Sequence, residues 1–189
     1  MATNKTFKII IFILILALLP LSFKLDNFFL QLVPLLRLSC LSQLFMFIGS
    51  SFGLLIFVAV INLLFLLEKK EKHLPYLIAA ILLAIGLSYL LKHSFARPRP
   101  EIMPLLIKSS FSFPSTHAAV AASTLFFVSL LNRTNKIIAC ILITITALSG
   151  YYNGIHYLSD VAGGMALGMV ISYLIMEKCP AWVKRIRQK

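Results

Sequence analysis

The chain of 189 residues is about one domain long. Only 13% of its residues are charged and 60% are hydrophobic, with a mean hydropathy of +0.94. Soluble proteins carry roughly 25% charged residues, so a soluble fold is excluded and an integral membrane protein is indicated. The net charge of +12 then reads as membrane topology before any affinity for nucleic acid.

Six apolar segments approach the roughly 20 residues needed to cross about 30 Å of hydrocarbon. The first, about Thr6 to Phe23, has a basic lead-in at Lys5 and Lys8. No small-x-small cleavage site follows it, so an uncleaved span is expected rather than a signal peptide. Asp26 to Gln43 is broken by Pro34 and Arg37 and reads as an interfacial segment. The remaining spans are expected at about 44–67, 74–91, 114–131, 136–152 and 160–176. Asn62, midway along the second, is expected to hydrogen-bond between helices. Gly164 and Gly168 form a GxxxG with Gly163 beside it, expected to bring helices of the same bundle close together. Three scattered cysteines (Cys40, Cys140, Cys179) support neither a disulfide framework nor a zinc site.

If the spans alternate, one face holds Lys5, Lys8, Lys69, Lys70, Lys72, Arg133, Lys136, Lys178, Lys184, Arg185, Arg187 and Lys189. The other holds Lys24, Arg37, Lys92, Arg97, Arg99 and Lys108. The excess of positive charge puts both termini in the cytoplasm and the segments 92–113 and 153–159 together outside. The cytoplasmic tract Glu68–His73 and the basic tail read as solvated topology determinants that attract anionic lipid. Lys92, Arg97 and Arg99 crowd eight positions of the outer face against this bias, which topology does not explain.

Chemistry does. A lysine supplies a point charge and an arginine a planar fork, both suited to phosphate oxygens. Prolines at 98, 100 and 104 stiffen the loop. Pro114 suits a helix start, so Ser115, Thr116 and the free N–H groups of the first turn would face a bound anion. His117 in that turn can protonate a leaving oxygen. In the second loop His156 and Asp160 are four apart, placing a carboxylate against one ring nitrogen and freeing the other for attack on phosphorus. Asp160 also stands where a helix cap is needed.

These elements resemble the type 2 phosphatidic acid phosphatase superfamily, whose pattern is Lys-x6-Arg-Pro, Pro-Ser-Gly-His and Ser-Arg-x5-His-x3-Asp. Here six residues separate Lys92 from Arg99-Pro100, Pro114-Ser115-Thr116-His117 follows, and Ser149-Gly150 leads over five residues to His156 and then Asp160. The resemblance implies an all-α, six-helix membrane bundle forming one domain over residues 1–189. It implies a phosphohistidine on His156, with Asp160 as its partner, His117 as general acid, and Lys92, Arg99 and Ser115 as phosphate binders. Thr116 replaces the motif glycine and keeps its backbone N–H for the phosphate. Gly150 stands where the family has a phosphate-binding arginine. Losing one preorganised donor typically slows a reaction by roughly 10²–10³, so Arg97 is the nearest candidate to fill in, and an arginine at 150 is expected to raise turnover.

The expected function is metal-independent hydrolysis of a lipid phosphate or diphosphate at the outer face of the plasma (bacterial inner) membrane. No cofactor, metal or nucleic acid is expected; the partners are a lipid phosphate and membrane lipids. Bacterial members of the family act on undecaprenyl diphosphate, phosphatidylglycerophosphate or lipid A, and the sequence does not choose among them. The apolar run Ile102–Ile107 could guide such a lipid. The alternatives are a non-catalytic or weakly active member that binds anionic lipids, a lipid phosphotransferase, and an anion transporter or channel.

Overall fold

The computed structural model describes residues 23–35, 37–102, 104–178 and 180. The first expected span lies almost wholly outside them, as does most of the basic tail. All regular structure among the described residues is helical. Residues 23–35 form α1, followed by α2 (Ser39–Ile48), α3 (Ser51–Leu67), α4 (Leu74–Phe95), α5 (Thr116–Ser123), α6 (Leu125–Val128), α7 (Arg133–Tyr152) and α8 (Leu158–Lys178).

The segment expected as one span over 44–67 is two helices bent by 76° at Gly49–Ser50. Ser50 restarts the helix by accepting a hydrogen bond from the Gly53 amide at 3.0 Å. Gly49 is there because the chain passes too close for a side chain: a Cβ would lie 2.3 Å from Asn153 Nδ2. Among the described residues Asn62 has no partner on another helix. Its amide returns to Val58 O, one turn back in α3, at 2.8 Å.

Among the described residues, three helices are long and apolar enough to cross a membrane: Glu71–Phe95 (α4 with the 3-10 turn before it), Arg133–Tyr152 and Leu158–Lys178; the bent pair makes a fourth if it counts as one span. The segment expected as a span over 114–131 is a shorter helical stretch, Thr116–Val128, interrupted at Thr124. The Ser123 and Thr124 hydroxyls donate to the carbonyls of Val120 and Ala121, both at 2.8 Å, and so loosen the ladder.

That stretch is the hub of the molecule. Ala118 to Ala122 are at most 1% exposed, and α5 packs on α4, α7 and α8. Between apolar helices in lipid, close packing of small residues replaces a hydrophobic drive. A Cβ on Gly164 would lie 2.4 Å from Ser115 O, and one on Gly168 would lie 2.2 Å from Ala119 O. The expected close approach is therefore that of α8 onto α5.

The tract 68–73, read as solvated, is partly latched down. Glu68 accepts from the Asn132 amide at 3.0 Å and from Asn135 Nδ2 at 2.7 Å, Lys70 Nζ donates to Leu130 O, and His73 is fully buried.

Helix propensity alone favours alanine over glycine by about 1 kcal/mol, whereas overpacking costs about 1–3 kcal/mol. Gly168→Ala is expected to lower the unfolding midpoint in detergent, because the new methyl meets backbone. Gly86→Ala, with nothing within 4 Å of its Cβ, is expected to leave the midpoint equal or higher.

Candidate active site

Two loops make the site. The first leaves α4 at Ala96, whose left-handed backbone (φ 45°) turns the chain while its N–H returns to Lys92 O. Ser112 then closes this loop on itself. Its amide and hydroxyl donate to Arg97 O at 2.9 and 3.2 Å, and its hydroxyl also contacts Pro98 O at 2.8 Å. The second loop joins α7 to α8 and is tied to the first by the Leu105 amide on Asn153 O at 2.9 Å. Ile107 in the first loop is 95% exposed.

His156 lies in the second loop and is 3% exposed. Its Nδ1–H donates to Asp160 Oδ2 at 3.3 Å, which leaves Nε2 with a lone pair facing Arg99 Nη1 at 3.4 Å. The pair is not two rungs of one helix. His156 precedes α8, and Asp160 reaches back from its first turn, also accepting from the Tyr157 amide at 2.9 Å. One carboxylate oxygen thus caps the helix and orients the imidazole. The Ser115 amide donates to Asp160 O at 3.0 Å, fixing the start of α5 against the start of α8.

Lys92, 5% exposed, donates to Phe111 O at 2.9 Å and Ser112 O at 3.0 Å. Arg99 donates to Ser110 O at 2.7 Å, Ser110 Oγ at 3.0 Å, Phe111 O at 3.2 Å and Ile155 O at 2.6 Å. Both cations therefore reach the loops around His156, and their present acceptors are neutral oxygens that an anion would outbid. Ser115 is the α5 cap, its hydroxyl accepting from the Ala118 amide at 3.5 Å. Thr116 opens α5. His117 directs Nε2 at Ser50 O, 3.1 Å away, at the break between α2 and α3.

Arg97 stands elsewhere than expected. Its Nη1 donates to Asp160 Oδ1 at 2.7 Å and Ser159 Oγ at 2.6 Å, and its Nη2 donates to Asp26 Oδ2 at 2.7 Å. Bound on the far side of Asp160 from His156, it does not occupy the place of the missing arginine. Nor is that place open, since a Cβ on Gly150 would lie 2.6 Å from His156 Cδ2.

Asp26 and Lys108 were not foreseen as site residues. Asp26 was read as interfacial but is 3% exposed and accepts from the Ser159 amide at 3.0 Å. An acidic residue in an otherwise apolar stretch was the available signal. Lys108 feels the charge of Arg99 and acts on His117 together with Lys92 and Arg99. Burial, reinforced by Arg99, pushes its ammonium down. Among the described residues no three His, Cys, Asp or Glu side chains cluster as a metal would need.

Burial pushes the His156 imidazole down to about 4, with Arg99 and Lys92 adding to the push and the hydrogen bond and charge of Asp160 opposing it. The ring is therefore neutral at pH 7, the form that can act as a nucleophile.

A model of the PAP2 superfamily matches residues 74–184. Phosphatidylglycerophosphatase B of Bacillus subtilis is 36% identical over 117 residues, covering 54% of this chain and 56% of its own. Decaprenylphosphoryl-5-phosphoribose phosphatase of Mycobacterium tuberculosis is 32% identical over 102 residues, with 51% and 56% covered. The chain thus spans just over half the length of these curated relatives. Among solved structures, a transmembrane PAP2 type phosphatidylglycerolphosphate phosphatase from Bacillus subtilis superposes with a TM-score of 0.69 over 97% of both chains at 24% identity. LpxE of Aquifex aeolicus superposes with a TM-score of 0.67, over 81% of this chain and 95% of its own, at 26% identity.

A base whose pKa falls on folding binds fewer protons folded than unfolded, so its protonation penalises the folded state. Stability is expected to fall as pH drops from 6.5 toward 4, and this contribution is constant above 6.5. NMR titration of the His156 ring in detergent is expected to show it neutral until pH nears 4. A midpoint near the ordinary 6.5 would contradict the buried geometry.

Proposed function

The chain belongs to the PAP2 superfamily, and on that footing we propose that it hydrolyses the phosphate or diphosphate of a membrane lipid through a phosphohistidine on His156. The observation that carries this reading is the neutral His156 imidazole, oriented by Asp160 on one nitrogen and facing Arg99 with the other. The names of its relatives, phosphatases of phosphorylated lipids, support the substrate class.

A lipid headgroup entering the cluster would draw Arg99 and Lys92 from their carbonyl partners onto phosphate oxygens, with Ser115 and Thr116 at the α5 start as further ligands. Lys108 adds positive charge to this field. Nε2 of His156 attacks phosphorus, the nitrogen–phosphorus bond forms, and the bond to the lipid oxygen breaks. His117 gives that oxygen a proton. Water then attacks phosphorus, His117 takes its proton, and phosphate leaves as His156 is regenerated. Asp160 stabilises the imidazole while it carries positive charge and does not itself take the proton. The positive-inside bias supports a site on the outer face of a multi-pass membrane protein with both termini in the cytoplasm. A lipid would lie along the helices with its headgroup in the loops, beside exposed Ile107.

Phosphate release from phosphatidylglycerophosphate, phosphatidate, undecaprenyl diphosphate and lipid A, with EDTA present, tests the proposal. Turnover on at least one is expected, with His156→Ala abolishing it. Failure on all of them by folded protein would favour the lipid-binding alternative, and phosphate appearing on an acceptor lipid would favour a phosphotransferase. Gly150→Ala is expected to lower kcat by about 10²-fold, the usual consequence of misplacing a reacting group by 1 Å. Gly150→Arg meets the same obstacle at its Cβ and is not expected to raise turnover, against the reading from sequence.

A further inference from the structure

The mechanism gives Arg97 and Asp26 no part, yet they form a closely bonded polar cluster with Ser159 and Asp160. We propose that Arg97 and Asp26 are positioning residues that hold Asp160 in register with His156, and that Arg97 is not a phosphate ligand. The proposal rests on the reading of His156 as nucleophile.

The geometry is specific. Asp160 has no exposed surface and Asp26 has 3%. A single guanidinium bridges them through Nη1 to Asp160 and Nη2 to Asp26, both at 2.7 Å. Ser159, which directly precedes Asp160, is held by the same pair. Its hydroxyl accepts from Arg97 at 2.6 Å and donates to Asp26 at 2.5 Å, and its amide donates to Asp26 at 3.0 Å. The guanidinium faces are covered by the rings of Phe23 at 4.7 Å and Tyr157 at 4.0 Å. Swinging Arg97 toward a phosphate would leave two buried carboxylates uncompensated.

The division of labour on Asp160 follows from its two oxygens. Oδ1 takes Arg97, and Oδ2 takes His156 Nδ1 and the Tyr157 amide. With Oδ1 fixed, the carboxylate cannot rotate, so Oδ2 stays on the imidazole and Nε2 stays aimed at the headgroup site. Asp26 in turn fixes Arg97. It lies in α1, outside the residues 74–184 that the family model matches, so this support comes from a part of the chain without family motifs.

Arg97→Ala, Arg97→Lys and Asp26→Asn in the full chain test the proposal on a lipid phosphate that the wild type hydrolyses. kcat is expected to fall about 10²-fold in Arg97→Ala, and less in Asp26→Asn and Arg97→Lys, while the inhibition constant of inorganic phosphate stays at the wild-type value in all three. The charges acting on His156 are those of Asp160, Arg99 and Lys92, with Arg97 and Asp26 behind Asp160 and Tyr157 beside them. Removing a positive charge from this set favours the imidazolium and removing a negative one disfavours it. The acid limb of kcat/KM is therefore expected to move up in pH in Arg97→Ala, down in Asp26→Asn, and to stay in Arg97→Lys. A lowered kcat in Arg97→Lys, with the limb and the phosphate inhibition constant unmoved, is what neither a purely electrostatic role nor a phosphate ligand predicts.

Weaker inhibition by phosphate in proportion to the loss of kcat would make Arg97 a phosphate ligand and overturn the proposal. So would unchanged kcat in all three variants, or limbs that do not separate. If Arg97→Ala does not fold, Arg97→Lys and Asp26→Asn decide by the same readouts. If the wild type releases no phosphate from any lipid, the catalytic reading falls by itself. NMR titration of the His156 ring then decides the clamp: opposite displacements in Arg97→Ala and Asp26→Asn uphold it, and a wild-type midpoint in both overturns it.

Discussion

A carboxylate without exposed surface inside a membrane protein must have all its lone pairs matched, and Asp160 shows how much structure that demand recruits. Arg97 comes from the first loop, the Tyr157 amide from the start of α8, and His156 from the turn before it. The partner of Arg97 comes from α1. Removing any of these leaves charge in a place that cannot solvate it. The geometry around His156 is thus fixed by the same requirement that keeps the fold together at this end.

Close packing does the complementary work at the level of helices. The first turns of α5 and α8 meet through Ser115 and Asp160, and the glycines of α8 let α5 approach along the next two turns. The alanines of α5 are buried because they are small enough to be surrounded. A bulkier hub would hold His117 on α5 farther from the loop that bears His156. The short length of this stretch is tolerable in lipid because α4, α7 and α8 shield it, so its loosened backbone near Thr124 faces protein.

Much of this was legible from residues alone. The all-helical class followed from long apolar runs, and the site's parts followed from polar residues that topology left unexplained. Lys92, Arg99, His156 and Asp160 do converge. What sequence could not supply was direction. Arg97 and Arg99 are two positions apart on a proline-stiffened loop, and their side chains diverge: Arg99 meets His156 and Arg97 meets Asp160. Spacing registers both as positive charge near a phosphate. The break at Gly49–Ser50 was hidden for a similar reason, since an apolar run has the same hydropathy straight or bent. Asp26 escaped notice because its partners are 71 and 133 residues away, and long-range pairing leaves no local trace.

The Ser50 carbonyl adds a last consequence. It faces His117, as Asp26 faces Arg97, and both lie before residue 74, where the family match begins. The motif-bearing part is therefore not a self-contained cassette that any membrane anchor could carry. Its two histidines are each oriented, directly or at one remove, by a segment with no signature of its own. Transplanting residues 74–184 behind a foreign leader would carry over every motif and lose the scaffolding that aims them. Drift in the leader offers a route to retuning the chemistry while the motifs stay fixed.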